Sequence, residues 1–297
     1  IVKPLLRRIG AIDIPTERSS HTSPTIRGAG LSQEVAIAVA TILGIVLHLV
    51  GTDGLAVFVA ALAVGLVGFL EDYRGLRIAV RACLQLIIGA CLAAAIFQGH
   101  AEFWIALVVV AIAFSTYVNF TNFMDGMNAI SSLNALAVGM AYAALAKSAG
   151  LNWMVYVGFT VALVFIVFLP WNVAGEGMFL GDVGSYLLGG LAAGMATAAL
   201  ASGLSLFGVL APLAIYLGDT LSTLVRRSIR GEALLKAHRS HVYQRLNDTG
   251  LSHTQVALIV FVFTLVCSMI GLLVASGKLA SGEGIAIIVT IVVLYLA

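Results

Sequence analysis

The chain has 297 residues, 61% of them hydrophobic and only 10% charged, with a mean hydropathy of +1.06 and a net charge of +2. Soluble domains carry charge on roughly a quarter of their residues, so this composition excludes a soluble enzyme and a disordered chain and predicts an all-α polytopic integral membrane protein. The cysteines Cys83, Cys91 and Cys267 lie inside apolar runs without CxxC spacing or His neighbours, which excludes a zinc site and a disulfide framework.

In chain order, residues 1–30 are polar and lack the apolar centre of a cleavable signal peptide. They are expected to form a cytoplasmic N-terminal segment. Runs long enough to span a bilayer, about 20 residues and down to roughly 17, then follow at 31–50, 54–70, 79–98, 103–118, 129–147, 152–169, 185–201, 204–224, 254–275 and 283–297. The expectation is about ten transmembrane helices in a single domain over 1–297, with a long basic loop at 225–252. The chain opens at Ile1 rather than methionine, so a further segment is expected upstream.

Lys and Arg provide an independent check. If the loops are numbered alternately from residues 1–30, only Lys147 and Lys278 of the 16 Lys and Arg residues fall in the even set. The positive-inside rule therefore places the odd loops in the cytoplasm.

The polar chemistry follows the same side. "GFLEDYRGLRIAVR" sets Glu71 and Asp72 at the membrane surface, and adjacent helical positions point about 100° apart, so the pair need not share one metal. "NFTNFMDGMN" repeats Asn119, Asn122, Asp125 and Asn128 at every third residue. On an α-helix such steps spread over half the circumference, which predicts a cavity lining at a loop-to-helix junction. The competing reading is interhelical hydrogen bonding. "GDVGS" sets Asp182 between glycines ahead of an apolar helix, where free N–H groups favour anions and a carboxylate can hold magnesium. A plain N-cap is the alternative there. "RRSIRGEALLKAHRSHVYQRLND" brings His238, Arg239 and His241 together. The histidines are expected on one helical face and suit an anion or, alternatively, a lipid headgroup surface. Asp219 pairs with this cluster or supports the site. The even loops hold only scattered Asp53, His100, Glu102 and Glu283.

"EDYRG", "NFTNFMDGMNAISS", "FLGDVGSYLLG" and "HRSHVYQRL", in this order and on one side, resemble the polyprenyl-phosphate N-acetylhexosamine-1-phosphate transferase superfamily. "DIPTERSSHTSPTIRGAG" resembles its stretch between the first two spans, which places one more helix upstream. The resemblance implies transfer of a sugar 1-phosphate from a UDP-sugar to a polyprenyl phosphate at the cytoplasmic face of a bacterial inner membrane, releasing UMP. It implies magnesium, or manganese in its place, as cofactor. Asp182 matches the metal-binding aspartate, Asn122 an asparagine near metal and diphosphate, Asp125 the aspartate of the "DG" step, and Asn128 a uridine contact. Glu71 and Asp72 match an aspartate pair, and His238 and His241 the histidine motif. The implied partners are UDP-sugar, polyprenyl phosphate and membrane lipid, with a homodimer and no nucleic acid. Glu71 stands in place of the pair's first aspartate, which favours Asp72 as the more important carboxylate. Ala29 replaces a usual glycine. The DDxxK lysine and triple histidine of the muramoyl-pentapeptide branch are absent, which points to an N-acetylhexosamine or deoxy-amino-sugar donor.

Direct in-line attack by the lipid phosphate is the expected route, and a covalent aspartyl intermediate its alternative. The competing class is a transporter of nucleotide sugars or lipid-linked sugars. That class requires polar groups near the midplane reached from both sides.

Overall fold

The computed structural model describes residues 6, 8, 12–13, 25–174, 177–233 and 238–297. Most of the expected N-terminal segment, and Lys236 of the basic loop, lie outside the described residues. A short antiparallel pair, β1 (Ile12–Asp13) and β2 (Thr25–Ile26), precedes the helices. These are α1 (Leu31–Val46), α2 (Thr52–Arg74), α3 (Ile78–Ile96), α4 (Phe103–Met124), α5 (Ile130–Ser148), α6 (Asn152–Val173) and α7 (Gly181–Ala201). There follow α8 (Leu206–Leu210), a 3-10 turn at Ala211–Leu213, α9 (Ala214–Ile229), α10 (Val242–Asp248), α11 (His253–Ala275) and α12 (Ser281–Leu296).

Each expected apolar run is helical, and the chain is a multi-pass membrane protein. The span count needs correction. Among the described residues eight stretches, not ten, are long and apolar enough to cross a membrane: α2 to α7, the stretch Leu206–Ile229, and α11. The two that fall short are α1 and α12, with 16 residues each. Such helices reach about 24 Å at ~1.5 Å per residue, against about 30 Å of hydrocarbon.

Helix α7 is the centre of the molecule, with 94% of its apolar window buried against 22% for α3. Its sequence explains this. In "GDVGSYLLGGLAAGMATAALA" small residues dominate, so neighbouring backbones approach closely and gain dispersion contacts, which is what holds helices together in lipid. Gly190 backs onto Ala61 of α2, and Gly189 onto Val118 of α4. Helices α2 and α4 thus flank α7, and the ends carrying Asp72, Asn122 and Asp182 come to one place. Bulky residues of α4 such as Trp104, Val108 and Ile112 face outward, as lipid contact requires.

Several helices run past their apolar cores. Helix α2 continues through Glu71 and Asp72 to Arg74, α4 continues through Asn119 and Asn122 to Met124, and α7 begins at Gly181. The motif residues therefore occupy terminal helical turns at one end of the bundle.

Candidate active site

The site is assembled by backbone pairing. Phe179 N donates to Ile26 O at 2.8 Å, Ala29 N to Phe179 O at 3.0 Å, and Gly30 N to Leu180 O at 2.8 Å. This pairing lays residues 26–30 beside the entry to α7. Arg27 is thereby aimed at two carboxylates: its Nε lies 2.8 Å from Asp72 Oδ1 and its Nη2 lies 2.9 Å from Asp182 Oδ1. Asp72 Oδ2 accepts from Val183 N at 3.1 Å, so α2 is tied to the first turn of α7. Gly181, at φ +77, permits this closeness. A β-carbon there would stand 2.6 Å from Asp72 Oδ2, and the left-handed backbone would itself be strained. Ala29 is fully buried, so this bend accommodates a β-carbon at the position where the resemblance leads to the expectation of glycine.

Asp182 is not an N-cap. That position belongs to Leu180, and no side chain caps the helix. Asp182 Oδ1 instead accepts from Asn122 Nδ2 at 3.0 Å, and the same amide nitrogen donates to Ser185 Oγ at 3.0 Å. Asn122 thus faces Asp182 with its nitrogen, as an orienting donor.

The Asn/Asp ladder divides by direction. Asn119, one step earlier on α4, donates to Gln85 Oε1 of α3 at 2.6 Å and to Ser115 O at 2.7 Å. It fastens α3 to α4, a bond worth about 0.6–2 kcal/mol inside a membrane bundle. Asp125 caps the C-terminus of α4 and accepts from Ser131 Oγ. Asn128 is half-buried in the following turn. That turn ends at Ala129, whose φ of +73 is unusual for a non-glycine residue. Asn172 of α6 braces it, accepting from Ala129 N and donating to Met178 O at 2.9 Å.

Burial, and after it the negative charges of Asp182 and Asp72, raise the Asp125 carboxyl from 3.8 to about 8, with the Ser131 hydrogen bond opposing. This group's contribution to stability is then full below 3.8 and lost as pH rises through about 8. Across that window the unfolding temperature of wild type is expected to fall relative to Asp125→Asn, measured by thermal melts in detergent. Parallel curves would contradict the raised value.

The histidines do not share a helical face. Residues 238–241 are non-helical, and His241 is the N-cap of α10. Their rings lie together all the same, 4.9 Å between centroids. His241 is buried, and its Nδ1 sits 3.0 Å from Asp219 Oδ1. Asp219 is wholly buried and also accepts from Val242 N at 3.0 Å, Tyr243 N at 3.2 Å and Tyr295 OH at 2.7 Å. The aspartate of α9 therefore anchors His241 and the start of α10. If that contact uses the Nδ1 proton, Nε2 remains available as an acceptor. Burial, and then His241, Arg227 and Arg226, lower His238 from 6.5 to about 4. At neutral pH it is an uncharged hydrogen-bonding group. Tyr243 closes the circuit, donating from its OH to Phe123 O at 2.9 Å. A β-carbon on Gly126 would meet that hydroxyl, so the "DG" step and the histidine segment fit together through this glycine.

Asp72, Asn122 and Asp182 therefore converge, with Asp125 close by and His241 held against the end of α4. Glu71 and Arg239 belong to local contacts. Glu71 pairs with Arg81 at 2.9 Å and accepts from Leu76 N, which locks the α2–α3 turn. Arg239 pairs with Asp248 at 2.9 Å and Asn247 at 3.0 Å. Sequence reasoning missed Arg27 and Asn172. Arg27 was visible only as one more positive loop residue, and Asn172 only as a polar residue ending an apolar run.

Among the described residues no three His, Cys, Asp or Glu side chains form a ready-made metal cage. Asp72 Oδ1 is buried and, beyond the approach of Arg27, lacks a hydrogen-bond donor. Two carboxylates converging on one cation, with an oxygen to spare, fit a hard divalent ion that takes its remaining ligands from water and phosphate.

A family model described as glycosyl transferase family 4 matches residues 54–201. A Mycolicibacterium smegmatis protein named decaprenyl-phosphate N-acetylglucosaminephosphotransferase is 27% identical, over 98% of this chain and 83% of its own. A Bacillus subtilis protein named probable undecaprenyl-phosphate N-acetylglucosaminyl 1-phosphate transferase is 24% identical, over 94% of this chain and 81% of its own. A Clostridium botulinum phospho-N-acetylmuramoyl-pentapeptide-transferase is 27% identical over 74% of this chain and 73% of its own. With the family match enclosing the helices that hold Asp72, Asn122, Asp125 and Asp182, and similarity running on along nearly the whole chain, this protein belongs to glycosyl transferase family 4.

Proposed function

We propose that this protein transfers an N-acetylhexosamine 1-phosphate from a UDP-sugar to a polyprenyl phosphate at the cytoplasmic face of the bacterial inner membrane. The observation that carries the reading is the meeting of Asp72 and Asp182 on one cationic group at a single end of the bundle. The relatives named for N-acetylglucosamine favour that sugar, and the missing lysine and triple histidine disfavour the pentapeptide branch.

The chemistry requires two anions to meet. Two unit charges about 4 Å apart repel by about 4 kcal/mol at an effective dielectric near 20, and both substrates carry more than one charge. Asp182, with Asp72 beside it, would hold magnesium, which when bound neutralises the diphosphate and stabilises the leaving UMP. An oxygen of the lipid phosphate attacks the sugar-bearing phosphorus in line. The bond from that phosphorus to the UMP oxygen breaks, and UMP leaves with the electron pair. The nucleophile is already ionised near neutral pH, so the residues mainly position and neutralise. Asn122 orients Asp182, Asn128 contacts the uridine, and Asp219 holds His241 toward a phosphate.

Purified protein given UDP-N-acetylglucosamine is expected to release UMP only when polyprenyl phosphate and magnesium are both present. Uptake of UDP-sugar into vesicles without UMP release would instead establish a transporter. Asp72→Asn is expected to lower turnover about 10²-fold, and Glu71→Gln by less than about tenfold, because only the former carboxylate faces the site. Equal losses in the same assay would refute that ranking.

A further inference from the structure

Gln85 of α3 and Tyr186 of α7 are both inaccessible, and neither takes part in the chemistry of the carboxylates. Gln85 Nε2 and the Tyr186 hydroxyl are buried and find no hydrogen-bond partner among the described residues. Such an arrangement carries the full desolvation penalty of each group. The direction of the Gln85 amide is fixed by its neighbours. Asn119 gives its nitrogen to Ser115 O at 2.7 Å and to Gln85 Oε1 at 2.6 Å, and Ser115 Oγ donates to the same Oε1 at 3.1 Å. Turning the Gln85 amide over would set nitrogen against nitrogen, so Nε2 is the atom left unpaired.

The two groups lie at one depth in the bundle. Helix α7 touches α4 through Ser185 on Asn122 and through Gly189 on Val118 and Thr121, and Tyr186 lies between these contacts. Gln85 meets α4 at Asn119, within the same stretch. Arg81, one turn before Gln85, is among the charges that act on the Tyr186 hydroxyl, together with Asp182, Glu71 and Asp72. That hydroxyl therefore lies between the carboxylates and the part of α3 that carries Arg81 and Gln85. Arg81 is paired with Glu71 at 2.9 Å, so its charge is balanced and the two open groups are neutral. An amide nitrogen only donates and a phenolic hydroxyl can donate, so together they match a neutral oxygen with two lone pairs, a carbonyl.

We propose that Gln85 and Tyr186 form the subsite for the acetamido carbonyl of the donor sugar, and so select a 2-acetamido sugar over one with a free 2-hydroxyl. This inference rests on the transferase reading and names the group by which its donor is recognised. In a UDP-N-acetylhexosamine the acetamido group stands on the carbon next to the one bearing the phosphate. Tyr186 follows Asp182 by one turn of α7, about 6 Å at ~1.5 Å per residue, so a phosphate gathered at Asp182 brings that carbonyl within reach. The uracil ring is the donor's other source of carbonyls, but its N3–H needs an acceptor beside them, and Gln85 Oε1 is already occupied. A site built to hydrogen-bond a substrate group rejects analogues lacking it, because its own buried polar groups are then left unpaired.

The test uses the full chain purified in detergent with magnesium present, and UDP-N-acetylglucosamine and UDP-glucose as probes. Each is followed by calorimetric binding and by UMP release with polyprenyl phosphate. Tyr186→Phe removes only the unpaired hydroxyl, so it should melt no lower than wild type. Its affinity for UDP-N-acetylglucosamine should fall about five- to tenfold, the weight of one neutral hydrogen bond, while UDP-glucose binding stays within about twofold. Gln85→Met should lower the ratio of the two affinities by a similar factor, and it also loses the Asn119 and Ser115 contacts. An unchanged ratio, or equal losses with both sugars, overturns the subsite and leaves the pair as packing or as a holder of water. If Gln85→Met does not fold, Tyr186→Phe decides alone. Absence of UMP release by wild type with every UDP-sugar removes the transferase reading, and the binding ratio still decides the subsite. UMP release together with an unchanged ratio removes the subsite alone.

Discussion

Asp182→Asn is expected to abolish UMP release, by about 10²–10³-fold or more, while the protein purifies and melts like wild type. The fold should persist because the substituted amide keeps a carbonyl oxygen in place of Oδ1, which accepts from Asn122 and Arg27. Activity should not persist, because the negative charge that would grip a divalent cation is gone. A neutral oxygen in that position leaves the two anionic substrates to repel one another. A radiolabelled UDP-sugar assay with polyprenyl phosphate and excess magnesium measures the loss, and detergent-phase thermal melts check the fold. A variant that retained most of its magnesium-dependent turnover would refute the metal assignment.

Asp219→Ala is expected to have the largest effect on stability. The carboxylate is inaccessible, and it receives the His241 ring, two backbone N–H groups of α10 and the Tyr295 hydroxyl. Removing it strands these buried donors together. Loss of one partner from a buried charged cluster costs about 3–5 kcal/mol, which corresponds to a drop in unfolding temperature of roughly 10 °C. Tyr295→Phe deletes one donor only and should cost about 1 kcal/mol. Asp219→Asn retains a single carbonyl oxygen and should fall between the two. Comparable melting temperatures for Asp219→Ala and wild type would show that this network does not tie α9, α10 and α12 together.

The geometry also explains why adjacent or equally spaced residues divide into different tasks. Glu71 and Asp72 are neighbours in the last turn of α2, yet one locks the turn to α3 and the other reaches α7. Asn119 and Asn122 lie on one helix, three residues apart, and face α3 and α7 respectively. A helix turns about 100° per residue, so the packing of neighbouring helices decides which polar residue meets the site.

The sequence by itself determined the class of protein, the position of each apolar helix core, and the gathering of polar loops on one side. Those properties depend on apolar run length and charge placement, which are local and additive along the chain. It also singled out Asp125 and Asp182, because carboxylates at the ends of apolar helices are costly unless they have a purpose, whereas Asp72 and Asn122 stood out through the resemblance of their motifs. Only the tertiary structure decided that α1 and α12 fall short of spanning length, that Asn119 serves packing, that Arg239 is engaged by Asp248, and that Asp219 anchors His241. Arg27 and Asp182 are 155 positions apart, and nothing local in either stretch encodes their pairing. It arises when residues 26–30 hydrogen-bond along residues 179–180, bringing a loop arginine to a helix end through contacts that exist only after the chain has packed.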